Sequence, residues 1–472
     1  MTRQAAILTA LIAYLVGVLV LGWLAKSRTK NAAAFYLGGR TLGPWVAALA
    51  ANASSSSAWS LVGVSGFAYR CGLGALWLLP GCIGGFLINW LLVAPRLRER
   101  TGSAVTLTEF LAGPEGQRGR TAVVVFATVL TLGALLTYVA SQMQAAEGAF
   151  RYAFDTEPAT GIVIGAVITV LYTLLGGYLA VSLTDTIQGL LMAGVAVLLP
   201  VAAVIHFGGV GEFVAAIADV EVAGYTSPFW TNSGLAAAGF AFALLGIGLG
   251  YPGQPHAVNK YMGMAPGASM AVARTVGIGW AVILYCGMLV VGWAARIAWP
   301  VAEGLHEDAL FVASQNLLPA IVDGLVTAAV LAAVMSTVDS QLLVCASCVT
   351  HDLPWLRGSQ RMMLLAARVT VLAIGVGALA AALLVTKDIF RNVLFAWAAL
   401  GSAFGPLLLV RLFVGPVPPW WALAAMVTGG GGAIAAFYLP PVLSASFADR
   451  VLSWIAALVV AWLGARAARR SA

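Results

Sequence analysis

The sequence predicts an all-α polytopic membrane protein assembled from two five-helix inverted repeats. Three observations predict it: a composition too apolar for a water-soluble chain, a succession of apolar runs of about 20 residues, and two of those runs interrupted at matching places. Of the 472 residues 61% are hydrophobic and 9% charged, and the mean hydropathy is +0.95. A soluble domain carries about 25% charged residues. The 53 glycines and 15 tryptophans fit helices that tolerate Gly inside a bilayer and aromatic rings that collect at its interfaces.

The apolar runs, divided by charged or turn-forming clusters, lie near 5–25, 42–67, 73–95, 121–149, 158–177, 184–206, 233–254, 272–295, 318–347, 364–386, 390–413, 419–439 and 447–466, which gives thirteen expected helices. The first, Ala5 to Ala25, suits a bilayer span better than the apolar core of about 7–15 residues in a cleaved signal, so it is expected to stay. With the N-terminus outside, eighteen of the 25 Lys and Arg, among them Arg40, Arg96, Lys260 and Arg411, fall in cytoplasmic segments and seven on the opposite side. The positive-inside rule therefore predicts an outer N-terminus and a cytoplasmic C-terminus in a cell membrane. It also accounts for the net charge of +7 without a nucleic-acid partner. The longest hydrophilic stretches, 96–120 and 207–232, are too short for a soluble domain, so function is expected within the helices. Five cysteines scattered over apolar segments suggest no disulfide framework; Cys345 and Cys348 read as small residues on a packed helical face.

The second helix contains Asn52-Ala53-Ser54-Ser55-Ser56-Ser57 and the seventh contains Gly246-Ile247-Gly248-Leu249-Gly250-Tyr251-Pro252-Gly253-Gln254-Pro255-His256. Both are expected to unwind, because Gly resists ordering and Pro lacks an amide donor. Carbonyls freed in this way need a partner at membrane depth. The interruptions lie about 195 residues apart, and each opens a run of five helices; an odd-numbered unit repeated in tandem must enter the membrane inverted the second time. Close helix packing through Gly is the plainer account of such runs.

Two carboxylates lie within apolar segments, Asp185 at the start of the sixth helix and Asp339 well inside the ninth, and an acid there is a functional candidate. Around Asp339, residues Ala333, Ser336, Thr337 and Ser340 recur at i, i+3, i+4 and i+7 and so share one helical face. A strip of hydroxyl and carbonyl oxygens suits a hard monovalent cation that must bind and then leave, sodium first of all. The competing account is that each hydroxyl bonds a carbonyl one turn back. His256 has no partners at metal-ligand spacing, so metal catalysis is not expected and sodium is the only metal in view. Trp59, Tyr138 and Tyr251 fall in central helices, where they stack on a small solute or simply pack.

Five motifs then carry a resemblance: Gly38-Gly39-Arg40-Thr41-Leu42-Gly43-Pro44-Trp45, Ala53-Ser54 through Trp59, Gly176-Gly177-Tyr178-Leu179-Ala180-Val181-Ser182 with Thr184-Asp185-Thr186, Gly250-Tyr251-Pro252-Gly253-Gln254-Pro255-His256, and Met335-Ser336-Thr337. Occurring in order from about residue 36 to about 412, they resemble the sodium/solute symporter family, and most of all its sodium/proline branch. The resemblance implies a LeuT-like 5+5 inverted-repeat transporter fold: an extra helix and link over 1–35, a first repeat over 36–207, a second over 233–413, and two further helices with a basic tail over 414–472. It implies a sodium-coupled symporter importing L-proline by alternating access, with Na+ as coupling ion, no organic cofactor and no enzymatic activity.

By the same resemblance, a sodium site would use carbonyls of Ala53, Ser56 and Ala333 and the hydroxyls of Ser336 and Thr337. The solute positions carry over onto Ser57, Trp59, Tyr138, Ile247, Tyr251 and Pro255. A second cation site, as in the sialic-acid branch, would join Asp185 to Ser336, Asp339 and Ser340; two carboxylates there hold a second sodium or share a proton. Two departures stand out: Ser55 where proline symporters have an Asp, and Ile247 where they have a substrate-contacting Trp. They leave room for another small carboxylate, such as a different amino acid, pantothenate or a monocarboxylate. The carboxylate is expected to meet amides freed at the broken helices, since no Arg lies in their centres. An aspartyl protease using Asp185 and Asp339 lacks the Gly-Asp context, and a transporter-fold sensor would need an output domain.

Overall fold

A computed structural model describes residues 2–26, 38–175, 178–353, 359–439 and 447–470. Among them every extended element is helical. In chain order these are α1 (Arg3–Lys26), α2 (Pro44–Ser55), α3 (Val64–Cys71), α4 (Leu78–Leu87), α5 (Ala94–Arg100), α6 (Leu107–Ala112), α7 (Arg120–Phe154), α8 (Pro158–Leu175) and α9 (Tyr178–His206). They continue with α10 (Val210–Ala218), α11 (Gly234–Leu245), α12 (Pro255–Met262), α13 (Met270–Ala298), α14 (Ala309–Leu317) and α15 (Ala320–Ser347). The last are α16 (Gln360–Leu384), α17 (Ile389–Phe413), α18 (Pro419–Met426), α19 (Gly432–Phe437) and α20 (Ser453–Arg470).

Eleven helices among the described residues are long and apolar enough to cross a membrane, against the thirteen expected. The difference has two sources. Pro158–Leu174 is shorter than the others, and the stretch after the break in the second expected helix runs with the third as one apolar segment, Trp59–Arg100. The break separates α2 from that segment. Two hydrophilic stretches expected as loops fold partly into helix, at α6 and α10. In α6 the Thr106 hydroxyl accepts from the Glu109 amide while the Glu109 carboxylate accepts from the Val105 amide, a reciprocal cap legible as Thr-x-x-Glu. The Gly176-Gly177 pair and the counted cations Arg28, Lys30 and Arg357 lie outside the described residues.

The two repeats pack alike. The arm α2 lies against α9, the last helix of its own repeat, and the Gly246–Gly253 turn lies against α17, the last of the other. Likewise α3 packs on α13 as the Gly246–Gly253 turn packs on α4. Glycine is required where these crossings are tightest. A Cβ on Gly253 would fall 2.6 Å from the Gly401 Cα, and one on Gly250 would fall 2.3 Å from the Trp397 ring nitrogen. Outside the repeats, α1 packs on α15 and α9, fixed at its start by Arg3 on Asp323 at 2.7 Å. The ninth expected helix, α15, is enclosed nearly throughout, whereas α1, α16 and α20 leave wide apolar faces for lipid.

Candidate functional site

The serine run ends α2 because short hydroxyl side chains compete for backbone groups. Ser55 Oγ turns back onto the Asn52 carbonyl at 3.1 Å, and Ser56 leaves helical geometry at φ −111°, ψ 73°. Three amides, of Ser57, Ala58 and Trp59, are thereby freed from helical bonding, and two of them are capped by side chains. Ala58 N donates to Gln142 Oε1 of α7 at 3.0 Å, and Trp59 N donates to Ser57 Oγ at 3.2 Å. Two of the amides expected to be open to a carboxylate therefore already have acceptors. Tyr138 donates to that same Ser57 hydroxyl at 3.2 Å.

The freed carbonyl of Ala53 faces α15. Ser336 Oγ donates to it at 3.2 Å and to Ala333 O at 3.3 Å, while Thr337 Oγ1 donates to it at 3.5 Å. Four of the five expected sodium positions, Ala53, Ala333, Ser336 and Thr337, thus meet through their oxygens, and Ser56 sits at the break itself. All five are buried. Ser336 bonds back within its own helix and also reaches across to α2, and Thr337 reaches across to the same carbonyl.

One turn further along α15 lies an acidic cluster. Asp185 is not at the start of its helix, as expected, but about two turns inside, because α9 begins at Tyr178. Its Oδ2 accepts from Ser54 at 3.0 Å, from Ser340 at 3.3 Å and from the Lys260 ammonium at 2.9 Å. Lys260, expected in a cytoplasmic loop, is 2% exposed on α12. The helical turn after Pro255 carries it into the bundle, which a reading of loop charge does not foresee. Asp339 is also fully buried, and neither of its carboxylate oxygens makes a well-formed hydrogen bond among the described residues.

The second break is a run of tight turns over Gly246–Gly253, followed by extended Gln254 and then Pro255 at the start of α12. Pro is suited to that first helical position. Its freed carbonyls are met by side chains: Ile247 O by Trp397 Nε1 at 3.0 Å, Gly250 O by Gln254 at 3.2 Å and Tyr251 O by Asn89 at 3.2 Å. Ile247 removes an aromatic ring from the turn, but Trp397 of α17 supplies one, standing edge-on to Tyr251 with centroids 4.7 Å apart. Tyr251 and Tyr285 share a hydrogen bond at 2.8 Å, and Tyr285 also lies edge-on to Trp59. His256 stands edge-on to Tyr138. Ser57, Tyr138, Ile247 and Tyr251 are each at most 1% exposed, and the pairs Ser57–Tyr138, Trp59–Tyr285 and Tyr285–Tyr251 form an enclosed, mostly aromatic centre between the two breaks.

One end of this centre is covered. Phe390 stacks on Phe67 with centroids 4.6 Å apart and tilts over Trp59 at 5.4 Å. The Glu307 carboxylate accepts the Ile389 and Phe390 amides at 3.1 and 2.8 Å, capping α17. Burial pushes the Glu307 carboxyl up to about 7, against the opposing pull of those two amides. Beside it, Arg151 bridges Glu147 at 2.6 Å and Asp308 at 2.7 Å, and Lys387 bridges Glu147 at 2.7 Å.

The family model described as the sodium:solute symporter family matches residues 35–429. The chain belongs to this family. The high-affinity proline transporter PutP of Bacillus subtilis (strain 168) is 35% identical over 421 residues, 87% of this chain and 88% of its own. The sodium/proline symporter of Escherichia coli (strain K12) is 35% identical over 429 residues, covering 88% and 84%. Among solved structures, a Na+-coupled sialic acid symporter in a substrate-bound outward-open state aligns over 99% of this chain and 98% of that one, with a TM-score of 0.78 at 20% identity. Mhp1, a nucleobase-cation-symport-1 family transporter, aligns over 94% and 95% with a TM-score of 0.59 at 16% identity. The fold is LeuT-like, as the family resemblance implied. Within this symporter-family chain the sequence reading missed Ser54, Gln142, Lys260, Tyr285 and Trp397. A signal existed for Gln142, a polar residue inside an apolar run; none existed for Tyr285 or Trp397, which become neighbours of Tyr251 only through the helix crossings.

Proposed function

We propose that the protein is a sodium-coupled symporter that imports L-proline by alternating access. The observation that carries this is the convergence of Ala53 O, Ala333 O, Ser336 Oγ and Thr337 Oγ1 at the break of α2, in a chain whose full-length relatives are proline transporters. Sodium takes the carbonyls of Ala53, Ser56 and Ala333 and the lone pairs of Ser336 and Thr337. The two hydroxyls, which donate to Ala53 O in this structure, turn outward from it when the ion arrives. Sodium thereby ties α2 to α15 and acts as an allosteric ligand for the state that accepts solute.

Proline enters the enclosed centre lined by Ser57, Trp59, Tyr138, Ile247, Tyr251 and Pro255. Its carboxylate competes with Gln142 and with Ser57 Oγ for the amides of Ala58 and Trp59, exchanging an internal acceptor for a charged one. Its ring packs on Tyr251 and Trp397. The N-terminus is outside, so Phe67, Phe390 and Glu307 close the outer path. The repeats span 36–207 and 233–413. A membrane potential of 100 mV supplies about 2.3 kcal/mol per charge and a tenfold sodium gradient about 1.4, enough for a proline gradient of several hundredfold per ion.

The deciding experiment is uptake of labelled L-proline into proteoliposomes under an inward sodium gradient, with potassium as the replacement cation. Uptake should require sodium and fall by at least about tenfold in Ser336→Ala with Thr337→Ala, an interaction loss of about 1.4 kcal/mol or more. Sodium-dependent thermal stabilisation without proline uptake would keep the coupling ion and redirect the solute to another small carboxylate. Loss of neither signal in the double variant would overturn the sodium site.

A further inference from the structure

The acidic cluster beside the oxygen strip has the make-up of a cation site. Around Asp185 Oδ2 gather Ser54 Oγ at 3.0 Å and Ser340 Oγ at 3.3 Å, the two hydroxyls themselves 3.0 Å apart. Yet a positive charge already stands there. Lys260 Nζ lies 2.9 Å from Asp185 Oδ2, donates to Ser182 Oγ at 3.3 Å and sits over the Tyr178 ring at 5.0 Å. Both partners are almost completely enclosed, Lys260 at 2% exposure and Asp185 at 0%. A free cation on Asp185 would have this ammonium a few Å away in surroundings that screen charge weakly, and like charges so placed exclude one another.

We propose that Lys260 is a tethered cation that fills the acidic site between α9 and α15, so that one sodium ion, not two, is coupled to each solute. This deepens the symporter reading and rests on it. The position of Lys260 adds a mechanical consequence. It sits on α12, the second arm of the second broken helix, whereas Asp185 belongs to the first repeat, so the pair clamps the two repeats together. Lys260 also lines a small cavity together with Tyr178, His256, Asn259, Ser340 and Ser347. A tethered charge returns to its carboxylate after every cycle without consuming an ion from the gradient.

The test is the sodium dependence of thermal stability of the full chain, which needs no knowledge of the solute, with the charge-to-proline ratio in proteoliposomes beside it. Wild type should titrate as a single sodium site and carry about one charge per proline. Lys260→Gln should open the acidic site and titrate as two, with a Hill slope rising toward about 2; Asp185→Asn in the same background should return it to one. Lys260→Arg should keep a single site, and it decides the matter with wild type should Lys260→Gln not fold. Two sodium sites in wild type, or one unchanged site in a folded Lys260→Gln, would overturn the tethered cation while leaving sodium symport intact. A wild type that neither responds to sodium nor accumulates proline would overturn the symporter reading itself.

Discussion

At the scale of single residues, the breaks persist because specific side chains replace the lost helical bonds. Gln142 is the clearest instance, since its Oε1 is the acceptor for Ala58 N and both are buried. An amide stranded in such a place costs about 1–3 kcal/mol. Gln142→Ala should therefore destabilise the protein by that amount, read as a lowered unfolding temperature in detergent. An unchanged unfolding temperature would show that the amide bond is not what matters. Trp397 works in the same way on the other break, giving Ile247 O its donor. The Trp-to-Ile departure thus keeps an aromatic neighbour for Tyr251, brought from α17 rather than from the turn itself.

At the scale of elements, α17 begins under the control of a distant loop. Glu307 supplies acceptors for two amides of its first turn, a cap that no local pattern announces because the partners are some eighty residues apart. Burial raises the folded carboxyl to about 7 from an ordinary 4.5, so between those values the folded protein binds more protons than the unfolded chain. The contribution is full below about pH 4.5 and is lost as pH rises through about 7, on the order of a few kcal/mol. Unfolding temperature measured from pH 5 to pH 8 should fall more steeply in wild type than in Glu307→Gln. Parallel profiles would remove Glu307 as the titrating group. At the opposite extreme of legibility, Glu109 caps α6 three residues from Thr106. Burial pushes its carboxyl up, but the His351 ring and the Val105 amide outweigh that and hold it below the ordinary value.

At the scale of the whole molecule, charges from three separate segments meet at the covered end of the centre. Arg151 ends α7, Asp308 precedes α14, and Lys387 precedes α17, with Glu147 between the two cations. Removing the cations leaves two enclosed carboxylates facing each other, and such uncompensated charge is strongly unfavourable. Arg151→Gln with Lys387→Gln should therefore favour the state open at this end. With the five native cysteines replaced, a cysteine at Ser60 should react several-fold faster with a membrane-impermeant thiol reagent in that double variant. Unchanged labelling would mean that the Phe67 and Phe390 stack alone holds the end shut.

Much of this is legible in the sequence. The apolar runs, the two interruptions and their spacing specify a helical bundle in a bilayer, because hydrocarbon leaves the backbone no alternative to helix and Gly, Pro and Ser mark where the helix fails. The oxygen strip on α15 followed from a period that puts Ala333, Ser336, Thr337 and Ser340 on one face. Partnership across helices did not follow. Whether Lys260 belongs to a loop or to Asp185, whether Gln142 or a solute holds the Ala58 amide, and which ring stands beside Tyr251 depend on crossings set by contacts such as Gly253 on Gly401. Local sequence determines where a chain is helical and where it breaks, since those terms are short-range; only the tertiary structure decides which polar groups meet, because in a buried interior each must find its partner among residues far away in sequence.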